Sequence, residues 1–427
     1  MSATLKLLIS MVPKPTCLAF VALVAFTASQ NLQATLHTTS WNSTFKLSPE
    51  QLSLANLTSE EGAQINNIIN FDRTLLAYGG PHQDDFYTLP LGLKIPKSPG
   101  ELIKLQEITD PKPYTIPAST AMSRFLYSTT NVNGTLIPAS AYILWPYTTK
   151  KMKAIPHGKA PTVLWTHGTS GWYPTAAPST HRSLFYQDFV PYALALAGYA
   201  VVAPDYAGLG VGTSWDGTGI PHDQGGAVGW GVSELLAEKK GRFKDLVKAY
   251  PEFKLSDWLT PLGIDRVTLF NQVEGSQSVS SFLFTSEKDI VQPNWMNTWS
   301  VAALKQIVNP GERPWKGPML IIQGDKDPAV HYNASLATSE ATCEKYPGDL
   351  EFLGVPGVGH FPGMYATRSI WMEWIKERFE RRKVQKEGCV QSKVDRFLPD
   401  DHYQHNPNSF PLWAGKSEWA YELPQGH

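Results

Sequence analysis

The sequence predicts an α/β protein built on a mostly parallel sheet with helices on both faces. Two blocks carry that prediction. In the first, PTVLWTHGTSGW (161–172) has an apolar run at Thr162–Trp165, and FVPYALALAGYAVVAPDYAGLG (189–210) follows with a helical stretch to about Ala197 and a buried strand, Tyr199–Ala203, ending at Asp205. Apolar strand, helix, apolar strand is the pattern of a parallel sheet covered on both faces. In the second block, GPMLIIQGDKDP (317–328) and LEFLGVPGVGHF (350–361) each read as strand then turn, and TRSIWMEWIKERFERR (367–382) reads as an amphipathic closing helix.

The remaining elements arrange themselves around these blocks. SRFLYSTTNVNGTLIPASAYILWPY (123–147) has two alternating β-branched and aromatic runs around Asn133-Gly134, a tight-turn dipeptide, and predicts the antiparallel opening strands. Residues from about 30 to 120 are rich in Asn, Thr, Gly and Pro and lack a strong helical period, so they are expected to form an extension lying over the core. Between the two blocks the chain is Trp- and Pro-rich with short helices, such as TPLGIDRVTLF with Thr260 as N-cap and Pro261 in the first turn. That insertion sits where a cap over a site would belong. A polar and aromatic tail follows from about 383. The expected division is 1–29 signal peptide, 30–120 extension, 121–232 core, 233–314 cap, 315–382 core and 383–427 tail.

Composition narrows the function classes. The 37 basic and 38 acidic residues nearly cancel, so no charge field draws the chain to nucleic acid or to an anionic membrane surface. Near the N-terminus Lys6 and Lys14 precede ten apolar residues, Cys17–Phe26, and then TASQ. A bilayer span needs roughly 20 apolar residues, so a cleaved signal peptide is expected rather than a stable membrane anchor, and the mature chain is expected to be secreted. Removing that segment leaves Cys343 and Cys389 as an even pair in an oxidising compartment, expected as a disulfide, with two buried thiols as the alternative. Four glycosylation sequons fit secretion: Asn42 (NST), Asn56 (NLT), Asn133 (NGT) and Asn333 (NAS).

The chemistry is concentrated at strand ends. Gly324-Asp325-Lys326-Asp327-Pro328 follows the strand MLII, and Gly357-Val358-Gly359-His360 follows LEFLGV. A carboxylate at one strand end and a histidine at a later one is the order of acid and base in an α/β-hydrolase triad. The acid fixes the imidazole tautomer, and the imidazole moves the nucleophile's proton. Asp327 fits the spacing better than Asp325, which is expected to stabilise the turn. His167-Gly168-Thr169, after the strand TVLW, matches the H-G-x loop whose backbone amides help bind an oxyanion.

With TTNVNGTLIPASAYILWPY, APDYAGLG, FKLSDWLTPLGI and TCEKYP, these landmarks make the chain resemble the secreted fungal α/β-hydrolases related to secretory lipases and serine esterases, some of which accompany secondary-metabolite gene clusters. The resemblance runs from about 65 to 390. It implies a Ser-Asp-His hydrolase with an oxyanion hole and a cap, acting on a small-molecule ester, and it implies the pairing of Cys343 with Cys389. No metal or organic cofactor is implied.

The nucleophile breaks the pattern. In the family the elbow reads G-H-S-Q-G-G; here IPHDQGGAVGWG (220–231) puts Asp223 on the serine, with Gln224 as the second oxyanion donor. A crossover helix and a buried strand, at least about 20 residues, should lie between Asp205 and this turn. AGLGVGTSWDGTGIPH supplies no apolar run, so the strand before the elbow is expected to be missing. Three readings follow: a serine hydrolase lacking a deleted or wrongly spliced segment, an aspartate-nucleophile hydrolase acting on an epoxide or halide through Asp223, and a catalytically silent protein. GSQS (275–278) imitates G-x-S-x-G, but Val279 replaces the last glycine and no strand precedes it, so Ser276 and Ser278 are weak candidates. Trp258, Trp295 and Trp299 of the cap are expected in the core or against an apolar substrate.

Overall fold

A computed structural model describes residues 44–130, 135–212, 254–284, 287–302, 311 and 313–403. The strands are β1 (Leu102–Gln106), β2 (Ala121–Thr130), β3 (Leu136–Trp145), β4 (Thr162–Leu164), β5 (Ala200–Pro204), β6 (Met319–Gly324), β7 (Leu350–Val355) and β8 (Cys389–Lys393). They form a five-stranded sheet ordered β1-β2-β3-β5-β4 and a three-stranded sheet ordered β6-β7-β8. β1, β2, β3 and β5 pair antiparallel in succession, whereas β4 with β5, β6 with β7, and β7 with β8 are parallel.

The helices are α1 (Pro49–Leu54), α2 (Ser59–Thr74), α3 (Pro191–Leu196), α4 (Pro261–Gln272), α5 (Gln277–Leu283), α6 (Glu287–Ile290), α7 (Tyr332–Lys345), α8 (Pro362–Ala366) and α9 (Arg368–Phe379). One apolar cluster joins the two sheets: Tyr142 and Leu144 of β3, Val201 of β5, Leu194 of α3 and Trp371 of α9 pack together, with Val163 of β4 and Leu320 and Ile322 of β6 against them. A second cluster joins Ile65 and Ile69 of α2 to Val267, Leu269 and Phe270 of α4 and to Trp172. The cap helices therefore rest on the N-terminal extension and on the segment just after β4.

The strand expected to be missing falls between Asp205 and Asp223, a stretch of which only residues 205–212 are described. Among the described residues, β4 and β6 are each edge strands. A strand in the middle of a covered parallel sheet buries both faces. Instead, Leu164 of β4 is 65% exposed and Met319 to Ile322 of β6 are half-buried, although β3 is buried along almost its whole length. After β5, residues 205–212 turn without forming a strand, and the stretch that would hold the elbow lies outside the described residues.

Two stretches hold elements that the sequence did not reveal. The extension is not free of helix: α2 runs for 16 residues, opened by a capping box in which Thr58 accepts from the Glu61 amide and Glu61 accepts from the Thr58 amide. Its apolar stripe is narrow, and packing against α5 rather than a broad apolar face decides its place. Nor is the extension only a cover, since β1 pairs with β2. Likewise, the tail begins with strand β8; CVQSK is half-exposed throughout, an edge strand set by pairing with β7 and by the Cys343–Cys389 disulfide, which ties it to α7.

Candidate active site

β6 and β7 are parallel neighbours in register from Met319–Leu350 to Gly324–Val355, so their C-terminal turns emerge side by side. The turns are knitted together by backbone bonds from Asp325 N to the Val355 carbonyl and from Lys326 N to the Val358 carbonyl. Gly324 permits this approach, because a Cβ there would lie 2.3 Å from the Val358 oxygen. Asp325 braces the junction by accepting from Gly357 N at 2.7 Å. It links two loops rather than closing its own turn.

Asp327 Oδ2 is 2.7 Å from His360 Nδ1. The aspartate is held on every side: Oδ1 accepts from the amides of Ala329 and Val330, each at 2.8 Å, and Oδ2 also accepts from Gln323 Nε2 at 2.6 Å. Burial pushes its pKa up, but the His360 bond and the two amides outweigh burial and hold it below the ordinary aspartate value. A carboxylate accepts only, so Nδ1 carries the proton and Nε2 is left to exchange one. Gln323, one turn before Asp327, was not foreseen from the sequence; a polar residue at the end of an apolar strand was its only signal.

His167, Gly168 and Thr169 lie in the loop after β4. Tyr206 donates from its hydroxyl to the His167 carbonyl and stacks on the imidazole, ring centroids 4.1 Å apart and 18° from parallel. His167 Nδ1 lies 2.6 Å from the Gly168 carbonyl, and the Tyr186 hydroxyl donates to the Thr169 carbonyl at 2.7 Å. Burial holds His167 neutral, its pKa lowered to about 4. The Tyr186 ring centroid lies 6.4 Å from that of Phe361, the residue after His360.

Beneath the loop, Asp205 is buried. Its Oδ2 accepts from Ser140 Oγ and Ser179 Oγ, each at 2.5 Å, and its Oδ1 from Ser179 N at 3.0 Å. Burial raises its pKa to about 6 against these bonds.

Other candidates separate clearly. Ser276 is the N-cap of α5, its hydroxyl accepting from Val279 N, and Ser278 lies inside that helix, which gives GSQS a structural role. Trp258 and Trp295 are buried in the cap core, and Trp299 is partly exposed. Asn56 and Asn333 are exposed. Asp223, Gln224, Asn42, Asn133 and residues 1–29 lie outside the described residues. Among the described residues, no group of three His, Cys, Asp or Glu is placed to hold a metal ion, and no helix is long and apolar enough to cross a membrane.

No family model and no curated protein sequence matches the chain. Solved structures do. Candida antarctica lipase A in its closed state superposes with a TM-score of 0.51 at 18% identity, covering 72% of this chain and 88% of that one. The chain has the α/β-hydrolase fold. A second structure of the Candida antarctica lipase A gives 0.50 at 18% identity over the same shares of the two chains. The rice cell wall degrading esterase LipA from Xanthomonas oryzae gives 0.46 at 13% identity, covering 67% of this chain and 100% of that one. The Asp327–His360 pair stands just past the C-terminal ends of β6 and β7, and the 167–169 loop follows β4.

Proposed function

We propose that the protein is a carboxylic-ester hydrolase in which His360 is general base and acid and Asp327 orients it. The single observation that carries this reading is the 2.7 Å Asp327–His360 contact at the ends of adjacent parallel strands. His360 Nε2 would take a proton from the nucleophile and return it to the leaving alcohol, and water would then release the acid by the same route in reverse. The amides around Gly168 and Gln224 would hold the oxyanion. In this reading the protein is secreted and glycosylated, and its substrate is a hydrophobic or natural-product ester, in fungal secondary metabolism. The likeness of the solved lipase and esterase folds supports the reaction class only through the fold. Hydrolysis of p-nitrophenyl butyrate that His360→Ala leaves intact would sink this assignment.

The nucleophile has two readings. The half-exposed edges of β4 and β6 favour a serine carried by a segment absent from this chain, with Asp223 created at the junction. A rigid elbow is needed for either residue, because misplacement by about 1 Å costs about two orders of magnitude in rate. The transcript across the codons for Gly212 to Gly226 decides it: an inserted helix, apolar strand and G-H-S, together with fluorophosphonate labelling of that longer form alone, supports the serine. An alkyl ester trapped on Asp223 in this chain under single turnover refutes it and supports an epoxide- or halide-directed hydrolase.

A further inference from the structure

We propose that Tyr206 and Tyr186 are positioning residues that clamp the loop after β4 and aim its amides at the oxyanion, an inference that rests on the ester-hydrolase reading. Three consecutive carbonyls, those of His167, Gly168 and Thr169, each accept a side-chain hydrogen bond, from Tyr206, from the His167 ring itself and from Tyr186. In a planar trans peptide the carbonyl and the following N–H point in opposite directions. Fixing those three oxygens therefore fixes the directions of the Gly168, Thr169 and Ser170 amides on the other side of the strip. A loop with no strand or helix ladder of its own gains the rigidity that oxyanion binding requires, since donors aimed in advance need no reorganisation during reaction.

The clamp is itself well anchored. Tyr186 is buried among Trp165, Phe185, Phe189 and Phe361, so its hydroxyl has little freedom. Tyr206 follows Asp205, whose amide donates to Ser140 O and whose carboxylate gathers Ser140 and Ser179, so the tyrosine hangs from an immobile point. The Nδ1–H of His167 must donate, because the Gly168 carbonyl only accepts, which leaves Nε2 as the bare nitrogen, buried and without a hydrogen-bond partner. The ring serves as a brace inside the loop, not as a second base. The free space at Gly168 closes the arrangement: a Cβ there would lie 2.4 Å from the Tyr186 hydroxyl.

The test reads the clamp without substrate and then with it. Carbonyl-¹³C histidine and ¹⁵N-glycine labelling reports only His-Gly peptides, His167–Gly168 and, as an internal control, His157–Gly158. In Tyr206→Phe the His167 carbonyl signal is expected to move upfield, as for a carbonyl that has lost its donor, while His157 stays fixed. In Tyr206→Leu, which removes the stacked ring as well, the His167 imidazole is expected to titrate at least one pH unit higher than in the parent. With p-nitrophenyl butyrate, Tyr206→Phe and Tyr186→Phe are expected to lower kcat about tenfold or more with KM within about twofold, because the donors act on the transition state. An unmoved carbonyl signal and titration overturn the clamp in a parent of any activity. A carbonyl shift with kcat unchanged, or a loss confined to KM and the melting temperature, reduces the tyrosines to scaffold and overturns the positioning role. Absence of His360-dependent hydrolysis in both this chain and the longer form counts against the hydrolase reading alone, and the two spectroscopic readouts still decide the clamp.

Discussion

Asp327 Oδ2 meets His360 Nδ1 at 2.7 Å, with the aspartate side chain 2% exposed and the histidine side chain 41% exposed. The acid is sealed while the base opens to solvent, so the carboxylate can act only through the ring. Asp327→Asn keeps the shape and the Ala329 and Val330 amide bonds, but it removes the charge that selects the Nδ1–H tautomer. In a chain whose His360-dependent hydrolysis has been measured, kcat is expected to fall by about 10³- to 10⁴-fold with KM little changed. The folded-state pKa of Asp327 is depressed, so its stabilisation is present above the ordinary aspartate pKa and is lost as pH falls through the folded value. Melting temperatures of parent and variant should therefore differ near neutral pH and converge in acid. Equal melting temperatures at neutral pH would show that the pair contributes nothing to the fold.

Asp205 has the opposite sign. Burial raises its pKa from 3.8 to about 6 in the folded chain, so the folded state binds that proton more tightly than the unfolded one. Its stabilisation is complete below about 3.8 and is lost as pH rises to about 6, an effect of up to about 3 kcal/mol from the size of the shift. Asp72, raised to about 7 by burial, adds to the same decline and extends it. Asp205→Asn should flatten the fall in stability between pH 4 and 6 in urea titrations and leave the part due to Asp72. An unchanged slope would place the titration elsewhere.

The fold was legible where side chains carry period and the site where glycine interrupts it. β2, β3, β5, β6 and β7 follow from alternation or apolar runs, and Asp327 and His360 from turns directly after two of those runs. α2 was hidden because its stripe is narrow and its partner, α5, lies about 200 residues away in sequence. β8 was hidden because an edge strand needs no apolar face. Tyr186 and Tyr206 were invisible as site residues for another reason. An aromatic residue in a mixed apolar stretch reads as core, and only the folded chain brings its hydroxyl onto a particular carbonyl.

The Cys343–Cys389 disulfide closes a loop across 46 residues and ties α7 to the outer strand β8. Because the loop contains β7, and β7 carries the turn to His360, the link is coupled to the candidate site. Replacing both cysteines by serine should cost about 4 kcal/mol by the loop-closure relation. The measured consequence should be a lower urea midpoint with the Asp327–His360 pair intact, seen as an unchanged pH optimum of any hydrolysis. A shifted optimum would mean that β8 restrains the histidine turn directly.

Gly168 offers the sharpest test of the loop's packing. Its missing Cβ leaves room for the Tyr186 hydroxyl, which an alanine methyl would meet at 2.4 Å. Tyr186 is buried and cannot swing away freely, so Gly168→Ala should destabilise by about 1–3 kcal/mol, the usual cost of overpacking. Tyr186→Phe alone removes the donor to Thr169 and should cost about 1 kcal/mol. Combined, the two changes should cost less than the sum, because deleting the hydroxyl deletes the clash. Urea midpoints of the four proteins in this cycle give the coupling directly. Strict additivity would mean that the loop yields to the methyl by moving its backbone, and a loop that yields so easily could not hold its amides in one direction.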